Sequence, residues 1–496
     1  VKNIKSSVIR KTVSVLLATT LFGSLIVGCT PNKQSDQPKE KVLRIGTIYG
    51  GPDDSYFRQQ FTDIFEYTHP NIKVEIVPAV DYSQYRYVDP EKQSQDPIDY
   101  VESTKKLLTG DNPVDVIVGD TNIVKSLIQE NLLKQLDPLM QEDKFDTSDF
   151  VPTVIDGIKD LGDGSGLYAL SPTFSSSALF YNKKIFQDAG VDLPKDGMTW
   201  DEAFDLARLV AKGEGKDRVY GISFNRYQGG DPYYDAMTYS APLQLRTFDE
   251  KAEKMTVNTP QWEKVWSTIS KLVKDKIVPT NDQQSNGKVE AAASYNPIQG
   301  DLFLSSKVAM TIGDSNYVTE LNDANKNAEK IKDFHKVDWD IVTIPTHPEK
   351  PGIGGNIYLS NLMAINSNAQ NPEDAWEFIK FLNSEEWAKI KSRSSSYEMV
   401  ARKSYIQPRE GLTYNIQAFY TLKPVPPANT RDDQLYQKMP NLWLVSDQGR
   451  TFFQEVIDNK KTPAEALQAW EKKGNEMLLE MKNNPTGKPA EVKPAN

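Results

Sequence analysis

Four stretches of this 496-residue chain place carboxylates where they could hold a ligand. Asp53 and Asp54 follow Gly50-Gly51-Pro52, a turn that exposes both groups, with Tyr49 just ahead of it. Asp120 stands at the end of the strand run 114–118, just past Gly119. Asp231-Pro232-Tyr233-Tyr234 sets a carboxylate beside two aromatic rings, and Asp314, Asn316 and Tyr317 follow the apolar run 308–312. Ionised carboxylates accept hydrogen bonds and aromatic rings cover apolar faces, so these stretches suit a polar ligand with apolar faces. Helix capping competes for the same residues: Asp54, Ser55 and Asp120 all stand where an N-cap would. Residues 231–234 also read as an ordinary turn. Trp443 is a further candidate platform, whereas Trp200 and Trp376 sit at helical spacing among apolar neighbours and read as core.

Catalytic patterns are sparse. His69, His335 and His347 are scattered and lack the His-Glu-x-x-His spacing of a zinc site. Gly221-Ile222-Ser223-Phe224-Asn225 lacks the second glycine of a nucleophile elbow, and Gly213-Glu214-Gly215-Lys216-Asp217 is no phosphate loop. No metal and no cofactor is expected. Two carboxylates in a cleft could still serve as acid and base of a glycoside hydrolase, and that alternative stays open. The net charge of −10, from 58 basic and 68 acidic residues, argues against nucleic acid, whose phosphates call for a basic surface.

The elements that must position these residues alternate. Residues 42–48 read as a strand, 55–67 as a helix with Phe57, Phe61, Ile64 and Phe65 on one face, and 72–77 as a strand. Residues 114–118 form a buried-strand run, followed by a helix over 121–131. Such alternation predicts an α/β fold around a mostly parallel sheet, with ligands beyond the carboxyl ends of the strands. The loops 49–54 and 119–122 are therefore the ones to watch. Thr199 and Glu202 form a capping box ahead of a helix, and helices are expected over 262–274, 372–383 and 463–482. Residues 81–111, polar over 90–97, read as an insertion. No internal repeat is visible. The chain exceeds the size at which a single core stops growing, so two lobes are expected.

The first 28 residues carry Lys2, Lys5, Arg10 and Lys11, then an apolar run over 13–27 and Gly28, the order of an export signal. The run is shorter than the roughly 20 residues that span a bilayer. Cys29 is the single cysteine, so no disulfide supports the fold. Ile26-Val27-Gly28-Cys29 resembles a bacterial lipobox, which implies cleavage before Cys29 and a diacylglyceryl group on its sulfur. Two acyl chains anchor stably where one binds only reversibly. Residues 29–41 then read as a lipidated, solvated tether and 483–496 as a flexible tail.

Taken in order, Tyr181-Asn182-Lys183-Lys184-Ile185-Phe186-Gln187-Asp188, Thr199-Trp200-Asp201-Glu202, Ser306-Lys307-Val308-Ala309-Met310, Ala375-Trp376-Glu377-Phe378 and Thr462-Pro463-Ala464-Glu465-Ala466-Leu467 resemble the extracellular solute-binding proteins of family 1. These are the sugar-binding lipoproteins of ABC importers, including the maltodextrin type. The resemblance implies a two-lobed periplasmic-binding-protein-like fold with three hinge crossings and an interlobe ligand cleft. Read onto this chain, the crossings fall near 171–175, 352–358 and 397–403. Lobe I is then 42–172 with 357–398, and lobe II 173–356 with 399–482. Gly352, Gly354 and Gly355 suit a hinge on their own account. Ala169-Leu170-Ser171 lies two residues further from Ala178 than the family pattern, so a longer hinge is expected there.

A sugar offers hydroxyl edges and apolar C–H faces, so its site needs planar aromatics and carboxylates or amides at strand ends and cleft loops, and the candidate contacts are Tyr49, Asp53, Asp54, Asp120, Phe174, Asp231, Tyr233, Asp314, Asn316, Tyr317 and Trp443. Asp231-Pro232-Tyr233 is similar to a sugar contact of the maltodextrin type, and Tyr317 stands where the family often carries a tryptophan platform. The implied role is capture of a carbohydrate, an oligosaccharide in the first instance, by a monomer anchored on the outer face of the cell membrane and delivering to an ABC permease. Polyamine or other small-solute binding, and presentation of ligand to a sensor, are the remaining alternatives.

Overall fold

The computed structural model describes residues 41–88, 98–227, 230–280, 298, 300–354, 357–394, 398–409, 411–426, 435–436 and 438–487. The expected export signal, Cys29 and the expected tether through residue 40 lie outside the described residues, as do the polar stretch 90–97, Gly355, Tyr397 and residues from 488 onward. Among the described residues, no helix is long and apolar enough to cross a membrane.

The first sheet begins with β1 (Lys41–Gly50), β2 (Ile72–Asp81) and β3 (Val116–Gly119), which pair in parallel with β1 in the middle. β3 is buried throughout, as its unbroken apolar run requires. At the start of β2, buried Ile72 and Val74 alternate with exposed Lys73 and Glu75. The helical segment after β1 runs from Ser55 to Thr68 and is interrupted by a π-helical turn at Arg58–Thr62. Phe61 and Phe65 are buried on one face, and Phe65 meets Phe378 edge-on at 5.1 Å.

One expectation changes here. Residues 100–109 are a helix, Tyr100–Thr109, that joins β2 to β3 and buries Thr104 and Leu108. It belongs to the sheet's own crossover, so residues 81–111 are not simply an insertion. Gly46 of β1 admits this layer, because a Cβ there would stand 2.9 Å from Ile117 Cδ1 and 3.3 Å from Leu107 Cδ1.

The second sheet is built on β4 (Thr173–Asn182), with β5 (Tyr220–Ser223), β6 (Val308–Asp314) and β7 (Trp339–Val342). β6 and β7 pair antiparallel with β4, and β5 pairs parallel with β6. The chain then forms β8 (Ile353–Gly354), β9 (Ile357–Tyr358), which pairs with β4, and β10 (Leu362–Ile365), which returns to the first sheet beside β3. After the helices Pro372–Leu382 and Glu385–Ser394, β11 (Met399–Val400) pairs with the start of β4, and β12 (Lys423–Pro424) pairs with β8.

The aromatic residues carry much of the core. Trp266 and Trp470 stack at 5.5 Å, and Phe180 packs on Phe303, Tyr317, Trp339 and Phe419. Trp200 and Trp376 are buried, as their helical spacing requires. Both capping boxes form, Thr199 with Glu202 and Thr462 with Glu465.

Candidate ligand-binding site

A cavity of about 350 Å³ opens at the carboxyl ends of β1 and β3. Its wall includes Tyr49, Asp53, Asp54, Tyr56, Phe57 and Phe61 from β1 and the turn and helix behind it, Gly119 from the end of β3, and Ser360 and Asn361 just ahead of β10. Three expected residues therefore meet at one place: Tyr49, Asp53 and Asp54.

Asp54 is the N-cap of the following helix but makes no capping bond through its side chain, and Asp53 just ahead of it closes the turn instead. Asp53 Oδ1 accepts from Ser55 Oγ at 2.6 Å and from Ser55 N at 3.1 Å. These bonds hold its carboxyl below the usual carboxylate range, so it stands as an anion. Asp54 pairs with Arg58 Nε at 2.9 Å. Asp120 caps the helix Thr121–Gln129, with Oδ1 accepting from Asn122 N at 2.9 Å and Ile123 N at 3.0 Å. It directly follows Gly119 of the cavity wall. The turn bonds of Asp53 and the capping bonds of Asp120 each occupy one oxygen and leave Oδ2 without a partner among the described residues.

An aromatic rim adjoins the carboxylates. Tyr49 is 61% exposed, tilts against Tyr82 at 6.0 Å and stands edge-on to Tyr100 at 6.4 Å. Tyr82 and Tyr100 hydrogen-bond through their hydroxyls, and this bond, with burial, pushes Tyr100 up to about 12. Tyr56 is 75% exposed. Sequence reasoning did not single out Tyr56, Tyr82, Tyr85, Tyr100, Ser360 or Asn361. A signal existed for Tyr82 and Tyr85: they follow the carboxyl end of β2, but that strand runs to Asp81, four residues beyond its alternating apolar pattern.

The other expected residues are elsewhere. Phe174 is fully buried in β4 opposite Met399, and it presents no face to a ligand. The stacking role expected of Tyr233 is corrected in the same way: its ring is 4% exposed and its hydroxyl donates to Ser446 O at 2.5 Å. Tyr317 is buried with its hydroxyl donating to both oxygens of Asp301, at 2.8 and 2.9 Å, so it is core and not a platform. Asp231 caps the helix Pro232–Ser240 through Tyr233 N and pairs with Arg450 Nε at 3.1 Å. Asp314 accepts from Tyr317 N at 3.0 Å, and Asn316 donates to Glu320 at 3.2 Å. Trp443 opens the helix Trp443–Ile457 and is 52% exposed. None of these lines the cavity. Among the described residues, no group of three His, Cys, Asp or Glu could hold a metal ion.

Comparison with known proteins places the chain in a family. A binding protein of Brucella abortus is 25% identical over 288 residues, 57% of this chain and 61% of the relative, so the match spans about three fifths of that protein. The sn-glycerol-3-phosphate-binding periplasmic protein UgpB of Salmonella typhimurium is 23% identical over 353 residues, 67% of this chain and 72% of the relative. Among solved structures, an open conformation of a sugar transporter from Rhizobium etli is 18% identical and superposes with a TM-score of 0.56 over 88% of this chain and 98% of its own, a likeness of fold. The two-lobed α/β architecture is thus that of the periplasmic binding proteins. The family described as bacterial extracellular solute-binding protein matches residues 50–389, and this chain belongs to it.

Proposed function

We propose that this chain captures a carbohydrate, an oligosaccharide of the maltodextrin kind in the first instance, and delivers it as a monomer to the permease of an ABC importer. At the level of the family it is a binding protein and not an enzyme. The observation that carries the reading is the cavity wall. It joins anionic Asp53 to an exposed tyrosine rim and contains no basic side chain among the described residues. Carboxylates accept from sugar hydroxyls, and tyrosine rings cover sugar faces. The sugar transporter of the same fold supports this choice. A phosphate ester, the ligand named for UgpB, would find no cation in the wall. The same acidic, aromatic wall also suits a polyamine, which is the second reading.

A thermal-shift screen over neutral oligosaccharides, polyamines and glycerol 3-phosphate tests the proposal, since a ligand at 100 times its Kd stabilises by about 2.7 kcal/mol. A neutral oligosaccharide should raise the melting temperature. Tyr49→Ala should then weaken its binding by about tenfold, or ~1.4 kcal/mol, and leave the empty protein as stable as before because the ring is exposed. A shift with spermidine and none with any sugar would transfer the reading to polyamines.

The anchoring part of the proposal rests on Ile26-Val27-Gly28-Cys29. Acylation at that thiol would tether the lobes to the outer face of the cell membrane by a chain of polar residues. Cys29→Ser should release folded protein from the membrane fraction. Its retention there after a high-salt wash would refute the lipid anchor.

A further inference from the structure

A carboxylate only accepts hydrogen bonds, and this fixes the orientation of an amide in the cavity wall. Asn361 Nδ2 donates to both oxygens of Glu398, at 3.0 and 3.1 Å. Thr173 Oγ1 donates to Glu398 Oε2 at 2.6 Å, and Ser360 Oγ donates to Oε1 at 3.0 Å. Reversing the amide would press its carbonyl against the carboxylate, so the chemistry of the partners settles which atom is nitrogen. The amide's other atom, Oδ1, accepts no hydrogen bond among the described residues, and Asn361 lines the cavity.

We infer that Glu398 is a positioning residue for the ligand site: acting through Asn361, it holds a carbonyl acceptor for the cavity, so that the site selects ligands by their O–H or N–H donors and rejects phosphate esters. The inference rests on the cavity being the ligand site. With Asp53 Oδ2, Asn361 Oδ1 gives the wall acceptors to offer, whereas the ionised phosphate group of an ester presents negative charge and acceptors alone, whatever hydroxyls the rest of the ester carries. Two cations that touch residues of the wall are engaged. Arg58 pairs with Asp54 and Glu66, and Lys391 bonds Gln60 and lies over the rings of Phe61 and Trp387. The Glu398 cluster also ties together three distant stretches of chain, at the start of β4, ahead of β10 and ahead of β11.

Glu398→Gln and Glu398→Ala test this by titration calorimetry with maltotriose and with glycerol 3-phosphate, together with hydrogen exchange of the empty protein. A glutamine can face Asn361 with either end of its amide, which frees Asn361 to turn. In both variants, backbone amides over 360–363 should exchange about tenfold faster. Maltotriose should bind about tenfold more weakly in the variants, while glycerol 3-phosphate, which the native protein should not bind saturably, gains measurable binding once Asn361 can turn its amide nitrogen to the cavity. Damage that is merely structural would weaken maltotriose and give glycerol 3-phosphate no gain. Saturable binding of glycerol 3-phosphate by the native protein, no gain for it in the variants, or unchanged exchange would each overturn the inference. Failure of maltotriose to bind the native protein would count against the sugar reading alone, because exchange and glycerol 3-phosphate still decide the role of Glu398.

Discussion

Asp235 lies in the first turn of the helix Pro232–Ser240 with its side chain buried, and burial, followed by the nearby charge of Asp231, pushes its carboxyl up to about 7. The native state then keeps a proton that the unfolded chain releases near the ordinary value of 3.8. The folded pKa is the higher one. The stabilisation is therefore fully present below about pH 4 and is lost as pH rises through about 7, by an amount on the order of a few kcal/mol. Melting temperatures of the native protein should fall between about pH 5 and pH 8 more steeply than those of Asp235→Asn, which has no proton to lose. Equal slopes would mean that Asp235 is ionised in the fold. Asp231 differs in its partners: it accepts a capping bond from Tyr233 N and pairs with Arg450.

Elements show how closely backbone layers approach. Gly221 of β5 lies under the helix Trp200–Val210, and a Cβ there would fall on the backbone carbonyl of Ala207. Backbone cannot step aside as a flexible side chain can. Gly221→Ala should therefore cost about 1–3 kcal/mol, seen as a lower denaturation midpoint with an unchanged slope. An unaltered midpoint would show that the helix can shift freely. Glycine at 221 thus has a packing reason, whereas a nucleophile elbow needs a pattern the segment lacks. The π-helical turn at Arg58–Thr62 is another feature of element scale. Nothing in the spacing of Phe57, Phe61 and Phe65 announces it, because those positions share a face in an uninterrupted α-helix as well.

At the scale of the whole molecule, the chain leaves the first sheet after Leu170, which bridges to Met363 of β10, and enters the second at Thr173. It returns between β9 and β10, and passes again beside the start of β4 at β11. Few crossings between the two sheets are what a hinge requires, and a ligand that touches the residues on both sides favours the closed state by its differential affinity for it. Small-angle scattering should give a smaller radius of gyration at saturating ligand than in its absence. An unchanged radius at saturation would count against closure.

Periodicity and capping made the elements legible. The apolar run of β3, the alternation at the start of β2, and the boxes at Thr199 and Thr462 are local patterns, and local sterics and hydrogen bonding decide them. The loop 49–54 was legible for the same reason, since a strand of this class ends at the ligand side. The rest of the site was not, because its residues are neighbours only in space. Tyr82 and Tyr100 reach Tyr49 through the pairing of β1 with β2 and through the crossover helix, and Thr173, Asn361 and Glu398 meet across more than two hundred positions of chain. Tyr233 and Tyr317 read in the sequence as candidate contacts because a tyrosine beside a carboxylate looks the same whether it faces a ligand or the core. Burial against Ser446 and Asp301 gave those rings to the core, and burial is a property that the fold assigns only when distant segments close over them.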